Sequence, residues 1–147
     1  DGQQLIHKKM AKKEYYDWQW VDTQIDNIGE KLEAISTPKF VTGIPRGGLI
    51  PAILISHRFN IPYIGLEAAK ALPGNLKKQI LVIDDIADSG NTLAQIDRHN
   101  FITATLATRY STDYLPTITG TSIDNDNWLV FPWEDFNAKA VQDYLVK

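Results

Sequence analysis

The stretch Ile80-Leu81-Val82-Ile83-Asp84-Asp85-Ile86-Ala87-Asp88-Ser89-Gly90-Asn91-Thr92 decides the fold. An apolar, β-branched run ends in two adjacent carboxylates. A third acid, a hydroxyl, a glycine and another hydroxyl follow, and then a helical pattern from Leu93 to Asn100. Apolar runs of this length bounded by turn residues read as buried strands. The stretch therefore predicts a strand over Ile80–Asp84, an anion-binding loop, and a helix over Asn91–Asn100. Where a strand's C-terminal end meets a helix N-terminus, the first backbone N–H groups lack partners and the positive end of the helix dipole faces the loop. Gly90 allows a tight turn and close approach of a phosphate to the backbone. Ser89 and Thr92 add hydroxyl donors. Capping by Ser89 or Asn91, with Asp88 complementing the dipole, accounts for single residues but not for the set. Side chains alternate across a strand, so at most one of Asp84 and Asp85 enters the core. At the C-terminal edge of an open α/β sheet both reach the ligand crevice. Carboxylates there accept from sugar hydroxyls or hold a hard cation such as Mg2+.

Outward from this stretch, helices alternate with short apolar strands. Trp18, Val21, Ile25, Ile28, Leu32 and Ile35 alternate steps of three and four, one face of an amphipathic helix that Ser36-Thr37-Pro38 stops. Phe40–Ile44 reads as a buried strand, Pro45-Arg46-Gly47-Gly48 as a turn, and Leu49–Phe59 as a buried helix with Pro51 tolerated in its first turn. Tyr63–Leu66 reads as a strand. Glu67–Lys78, polar and broken by Pro73-Gly74, reads as a mobile loop. Ile102–Thr108 is a further buried strand. Arg109–Asn127 is loop with an edge strand near Thr117–Ile118. Trp128–Phe131 is a last strand, leading to a C-terminal helix with Phe136, Ala140, Val141, Tyr144 and Leu145 inward. The pattern predicts an α/β fold, a mostly parallel sheet flanked by helices on both faces.

The chain has 147 residues, enough for one core. Met10-Ala11-Lys12-Lys13 resembles a start, so residues 1–9 are set apart as a tag or disordered arm and residues 10–147 are expected to form a single domain. The net charge of -3 argues against electrostatic binding to nucleic acid, and the lysines at Lys8, Lys9, Lys12 and Lys13 read as a solvated tail. The sequence has no cysteine, which excludes disulfides and thiolate metal sites. No apolar run approaches membrane-spanning length, so no membrane partner is expected and the cytoplasm is the expected compartment. His7, His57 and His99 lack metal-ligand spacing. Tyr15, Tyr16, Trp18 and Trp20 read as packing or an oligomer interface, and Trp133 as core or a dimer contact.

Val82 to Thr92 resembles the phosphoribosyl-pyrophosphate motif of type I phosphoribosyltransferases. Gly43-Ile44-Pro45-Arg46-Gly47-Gly48-Leu49-Ile50-Pro51 is similar to that family's pyrophosphate loop. The 64–80 segment stands where its flexible catalytic loop would be, and Trp128 to Glu134 resembles the segment after the last strand in the xanthine-guanine and hypoxanthine branch. The resemblance implies that fold, with a small hood from the terminal segments, and Mg2+-dependent conversion of phosphoribosyl pyrophosphate and a 6-oxopurine base to a nucleoside 5′-monophosphate and pyrophosphate. It implies that Asp84 and Asp85 bind the ribose hydroxyls and the metal, and that Asp88 is general base or acid at the purine imidazole edge. By the same resemblance Ala87 to Thr92 hold the phosphoribosyl group, Arg46 and the Gly47 amide hold pyrophosphate, Trp128 stacks on the base, and the Leu129 backbone reads its edge. Arg109 stands where the purine branch usually has a lysine reaching the 6-oxo group. The segment from Gly65 to Gln79 is short for the family's lid, and with the missing lysine it motivates an alternative: a non-catalytic nucleotide-binding regulator on the same fold. A homodimer or higher homo-oligomer is expected.

Overall fold

The computed structural model describes residues 12–134. Its elements are β1 (Lys13–Tyr15), α1 (Trp18–Ile35), β2 (Phe40–Gly43), α2 (Leu49–Phe59), α3 (Leu66–Lys70) and α4 (Gly74–Lys77), then β3 (Ile80–Ala87), α5 (Asn91–Asp97), β4 (Ile102–Arg109), β5 (Ile118–Ile123) and β6 (Trp128–Val130). Four strands form a parallel sheet in the order β2-β3-β4-β5. β1 and β6 form a separate parallel pair, a hood built from the two ends of the described chain.

Period-two alternation in β3 sorts the core onto two faces. Leu81 and Ile83 join Val21, Ile25, Ile28 and Leu32 of α1 and Ala52 and Ile55 of α2 on one face. Ile80 and Val82 join Ala69, Leu93, Ile96 and Phe101 on the other. Burying a side chain such as Ile25 or Leu81 contributes about 1.5–3 kcal/mol, and both are fully buried. The Asp17 side chain caps α1 by accepting from the Trp20 N–H at 2.8 Å. Gly29 lets α1 and α2 approach closely: a Cβ there would lie 2.1 Å from the Phe59 ring. Arg58 forks to Asp22 at 2.7 Å and Asp26 at 2.8 Å across the same helix pair.

The hood is stapled by aromatic rings. Tyr16 stacks on Trp20 at 4.0 Å, Phe131 stacks on Trp133 at 5.1 Å, and Trp18 meets Trp133 at 5.9 Å. Tyr16, Trp18 and Trp20 thus pack within their own chain, though Tyr15 and Trp18 remain half exposed.

Several expectations need correction. The 67–78 segment is not an irregular loop: α3 and α4 occupy most of it. Pro73-Gly74 still parts the two helices, but Ala69 is fully buried against the α5 face and Leu66 and Leu72 pack beside it, so tertiary burial orders the segment on either side of the break. Tyr63–Leu66 makes only a single bridge, Val41 to Tyr63, and not a strand. β3 runs on past the expected end at Asp84 to Ala87, so Asp85 lies within the strand as Asp84 does. β5 extends to Ile123. β6 joins β1 in the hood that the resemblance implied from the terminal segments. The expected C-terminal helix lies outside the described residues.

Candidate active site

The ladder between β3, β4 and β5 is interrupted on one line across the sheet. Asp84 pairs with Thr105 and Ile86 with Ala107, while Thr105 pairs with Thr119 and Ala107 with Thr121. Alternation slips there: Leu106 and Ala107, adjacent in sequence, pack into the same core cluster, and Thr105 meets Thr108 hydroxyl to hydroxyl at 2.7 Å. Gly120 permits the break, because a Cβ would lie 2.6 Å from the Leu106 carbonyl oxygen, and the Gly120 carbonyl accepts from Asn27 Nδ2 at 3.3 Å. At this line the two acids serve the backbone. Asp84 Oδ1 accepts from the Asp85 N–H at 2.8 Å, and Asp85 Oδ1 accepts from the Ile86 N–H at 2.7 Å. Both side chains are half-buried at the sheet's C-terminal end.

The turn after β2 closes against them. The Pro45–Arg46 peptide bond is cis. The Ile44 N–H donates to the Ile83 carbonyl at 3.0 Å and the Gly48 N–H to the Ile44 carbonyl at 2.8 Å. A Cβ on Gly47 would lie 2.2 Å from Asp85 Oδ2, and one on Gly48 2.3 Å from the Ile83 carbonyl oxygen. Two glycines therefore let the turn lie directly on the acid-bearing strand, with Arg46 exposed at its tip.

The loop after β3 leads into α5. Gly90 is left-handed at φ 86°, and the Asn91 N–H donates to Ser89 Oγ at 3.3 Å. The 110–117 connection runs back over this loop. The Asp113 N–H donates to the Ser89 carbonyl at 3.1 Å, and a Cβ on Gly90 would lie 2.6 Å from Thr112 Oγ1. Thr92 and Asn91 are exposed at the helix start, and Ala87 is buried beneath.

Arg109 ends β4 and is only 6% exposed. Its Nε donates to Asp88 Oδ1 at 2.7 Å, and its terminal nitrogens donate to the Asn125 carbonyl at 2.7 Å and to the Asn127 carbonyl. Trp128 and Leu129 follow at once in β6, with Leu129 buried. Their strand is held by β1: the Trp128 N–H donates to the Lys12 carbonyl at 2.8 Å and the Tyr16 N–H to the Val130 carbonyl at 2.9 Å. Lys13 Nζ stands 4.7 Å over the Trp128 ring and Glu14 accepts from Asn127 Nδ2 at 3.3 Å. Burial, with the Glu14 charge and hydrogen bond, pushes the Tyr16 hydroxyl up to about 12.

The expected site residues thus fall into three groups at one end of the fold: Arg46 and Gly47 with Asp84 and Asp85, then the 87–92 loop, then Arg109 with Trp128 and Leu129. Asp88 links the last two through Arg109. Lys13, read from sequence as part of a solvated tail, instead lies in β1 over the Trp128 ring, because β6 pairs alongside it. Glu14 and Thr112, which sequence reading left aside, also stand beside these groups; their only signal is spatial. No cluster of three or more potential metal-binding side chains occurs among the described residues. Asp84 and Asp85 offer hard oxygen donors as a pair, which fits Mg2+, since that ion is commonly held by one or two carboxylates with substrate phosphates completing its shell.

No family model matches the chain. The xanthine-guanine phosphoribosyltransferase of Cereibacter sphaeroides is 30% identical over 124 residues, 71% of this chain and 73% of that protein. The crystal structure of a purine phosphoribosyltransferase from Pyrococcus horikoshii superposes with a TM-score of 0.69 at 30% identity, covering 86% of this chain and 97% of that one. The Helicobacter pylori xanthine-guanine-hypoxanthine phosphoribosyltransferase, at 20% identity, shares the fold with a TM-score of 0.70 over 84% of this chain and 93% of its own. The chain belongs to the purine phosphoribosyltransferase family, with the type I fold. Membership of a family of transferases does not favour the non-catalytic alternative. Among the described residues no helix is long and apolar enough to cross a membrane.

Proposed function

We propose that this protein is a Mg2+-dependent phosphoribosyltransferase that converts phosphoribosyl pyrophosphate and a 6-oxopurine base to a nucleoside 5′-monophosphate and pyrophosphate. The observation that carries this reading is the contact of the Gly47-Gly48 turn with the Asp84-Asp85 strand, beside a glycine loop that opens a helix. It is the layout wanted by a substrate with a ribose between two phosphate groups.

Each group then has a task. Asp84 and Asp85 accept the ribose hydroxyls. Ser89, Gly90, Asn91 and Thr92, with Ala87 and Asp88 leading in, cradle the 5′-phosphate at backbone N–H groups and hydroxyls. Arg46 and the Gly47 amide hold pyrophosphate and stabilise the charge that grows on it as the C1–O bond breaks. Trp128 offers a flat face to the base and the Leu129 backbone reads its edge. As the base nitrogen bonds to C1, Asp88 takes the proton that the imidazole ring gives up. Mg2+ held by Asp85 and Asp84 would supply further neutralisation of the leaving pyrophosphate. Fixing sugar and base together makes the attack effectively intramolecular. The reading includes residues 10–147 acting as one catalytic unit, in a cytoplasmic homo-oligomer.

The test is a steady-state assay with guanine, xanthine and hypoxanthine, with and without a chelator. Base- and Mg2+-dependent release of pyrophosphate is the expected result. Sound protein that releases none with any base refutes the activity.

A further inference from the structure

We infer that Arg109 is a positioning residue that ties Asp88 to the chain carrying Trp128, and that it does not itself read the base. The inference rests on the base site proposed above. The guanidinium is buried, and each of its three nitrogens already donates within the protein: Nε to Asp88 Oδ1, and the terminal pair to the Asn125 and Asn127 carbonyls. These acceptors lie on two separate segments, the loop after β3 and the turn before β6. The turn is fixed from its other side as well. The Asn127 N–H donates to Asn125 Oδ1 at 2.9 Å and Asn127 Nδ2 to Glu14 at 3.3 Å. The fork of Arg109 therefore sets the distance between the acid that takes the proton and the ring on which the base lies.

A planar guanidinium serves three acceptors in fixed directions, and an ammonium is a single point donor on a flexible stem. That difference separates a strut from a direct reader. If Arg109 donated to the 6-oxo group, lysine would replace it well. As a strut it is not replaceable, and its loss is felt by every base alike.

The experiment compares Arg109→Lys and Arg109→Gln with the wild type in two measurements. The first is kcat/KM for guanine, hypoxanthine and adenine at saturating phosphoribosyl pyrophosphate. The second is amide hydrogen exchange at Asn127 to Val130 in the protein without ligand. We expect both variants to lose about tenfold or more in kcat/KM for the preferred base, the size of one or two charged hydrogen bonds. We expect unchanged discrimination between 6-oxo and 6-amino bases, and faster exchange at Asn127 to Val130. Lysine retaining wild-type kcat/KM, a loss confined to the 6-oxo bases, or unchanged exchange overturns the inference. Should Arg109→Gln fail to fold, Asp88→Ala serves: it removes one of the three bonds from the far segment. Faster exchange at Asn127 to Val130 then supports the tie and wild-type exchange overturns it. Exchange needs no turnover, so a protein inactive with every base refutes the proposed activity while this comparison still decides the strut.

Discussion

Replacing Gly47 with alanine tests the meeting of turn and strand. The added Cβ would lie 2.2 Å from Asp85 Oδ2, 2.5 Å from Cγ and 2.9 Å from Oδ1. Ordinary contact for such atoms begins near about 3.5 Å, so the carboxylate or the turn must move by roughly 1 Å. The carboxylate is held by the Ile86 N–H at 2.7 Å, and a shift of that size breaks the bond. A hydrogen bond to a charged group contributes about 1.5–3 kcal/mol, which corresponds to roughly a 10- to 100-fold loss where the displaced acid binds substrate. The backbone at Gly47 is not left-handed, so alanine meets no conformational strain there. Relief of unfolded-chain entropy even offsets part of the cost, by about 0.4–1 kcal/mol. The expected outcome is therefore a lowered kcat/KM for phosphoribosyl pyrophosphate with a melting temperature lowered by only a few degrees, since the entropy offset covers part of the lost bond. Initial rates at saturating base and Mg2+, with the phosphoribosyl donor varied, measure it. A variant within about twofold of wild type at every donor concentration would refute the reasoning, because the acid could not then be where both the turn and the substrate need it.

Other perturbations separate the remaining roles. Gly90→Ala places a side chain at φ 86° and against Thr112 and Tyr114, so we expect weaker nucleoside monophosphate binding and a stability loss of about 1–2 kcal/mol from the left-handed backbone alone; calorimetry and denaturant titration read the two effects. Asp88→Asn is expected to lower kcat far more than affinity for nucleoside monophosphate, and equal losses in both would assign the residue to binding. Because the Tyr16 hydroxyl stays protonated up to about 12 in the folded protein against 10.0 in an open chain, its contribution is complete below pH 10 and is lost as pH rises through 12. Denaturant midpoints across that window should fall less steeply in Tyr16→Phe than in wild type.

What the sequence made legible follows from range. The steps of three and four from Trp18 to Ile35 and the apolar run Ile80 to Ile83 are local patterns, and they gave α1 and the central strand their places. The glycine loop before α5 was legible for the same reason. β1 was not: three residues carry no periodicity, and the strand exists only because Trp128 to Val130 lies alongside. The break at Asp85, Leu106 and Gly120 was hidden too, since it depends on three strands meeting. In the 67–78 segment the Pro-Gly break is real, parting α3 from α4, but the burial of Ala69 that orders the helix before it is a tertiary effect a local pattern does not show. Arg109 was identified by position, but two of its partners are backbone carbonyls of Asn125 and Asn127, which no side-chain pattern announces.

The two acids show why a structural and a functional role need not compete. Asp84 and Asp85 each accept from the next residue's N–H at the point where the ladder is interrupted, so each satisfies a partly buried backbone donor there. A carboxylate has room for about four hydrogen bonds, and one to the backbone leaves it an acceptor for a ribose hydroxyl or a cation. The backbone bond also fixes each side chain's rotamer before substrate arrives, which lowers the entropy lost on binding. The same interruption that calls for acids at Asp84 and Asp85 therefore orients them. Gly47 brings the pyrophosphate turn up to the second of them because it has no side chain to intervene. Substrate geometry at this site is thus set by the sheet's own break and by a missing Cβ, ahead of any contact the substrate itself makes.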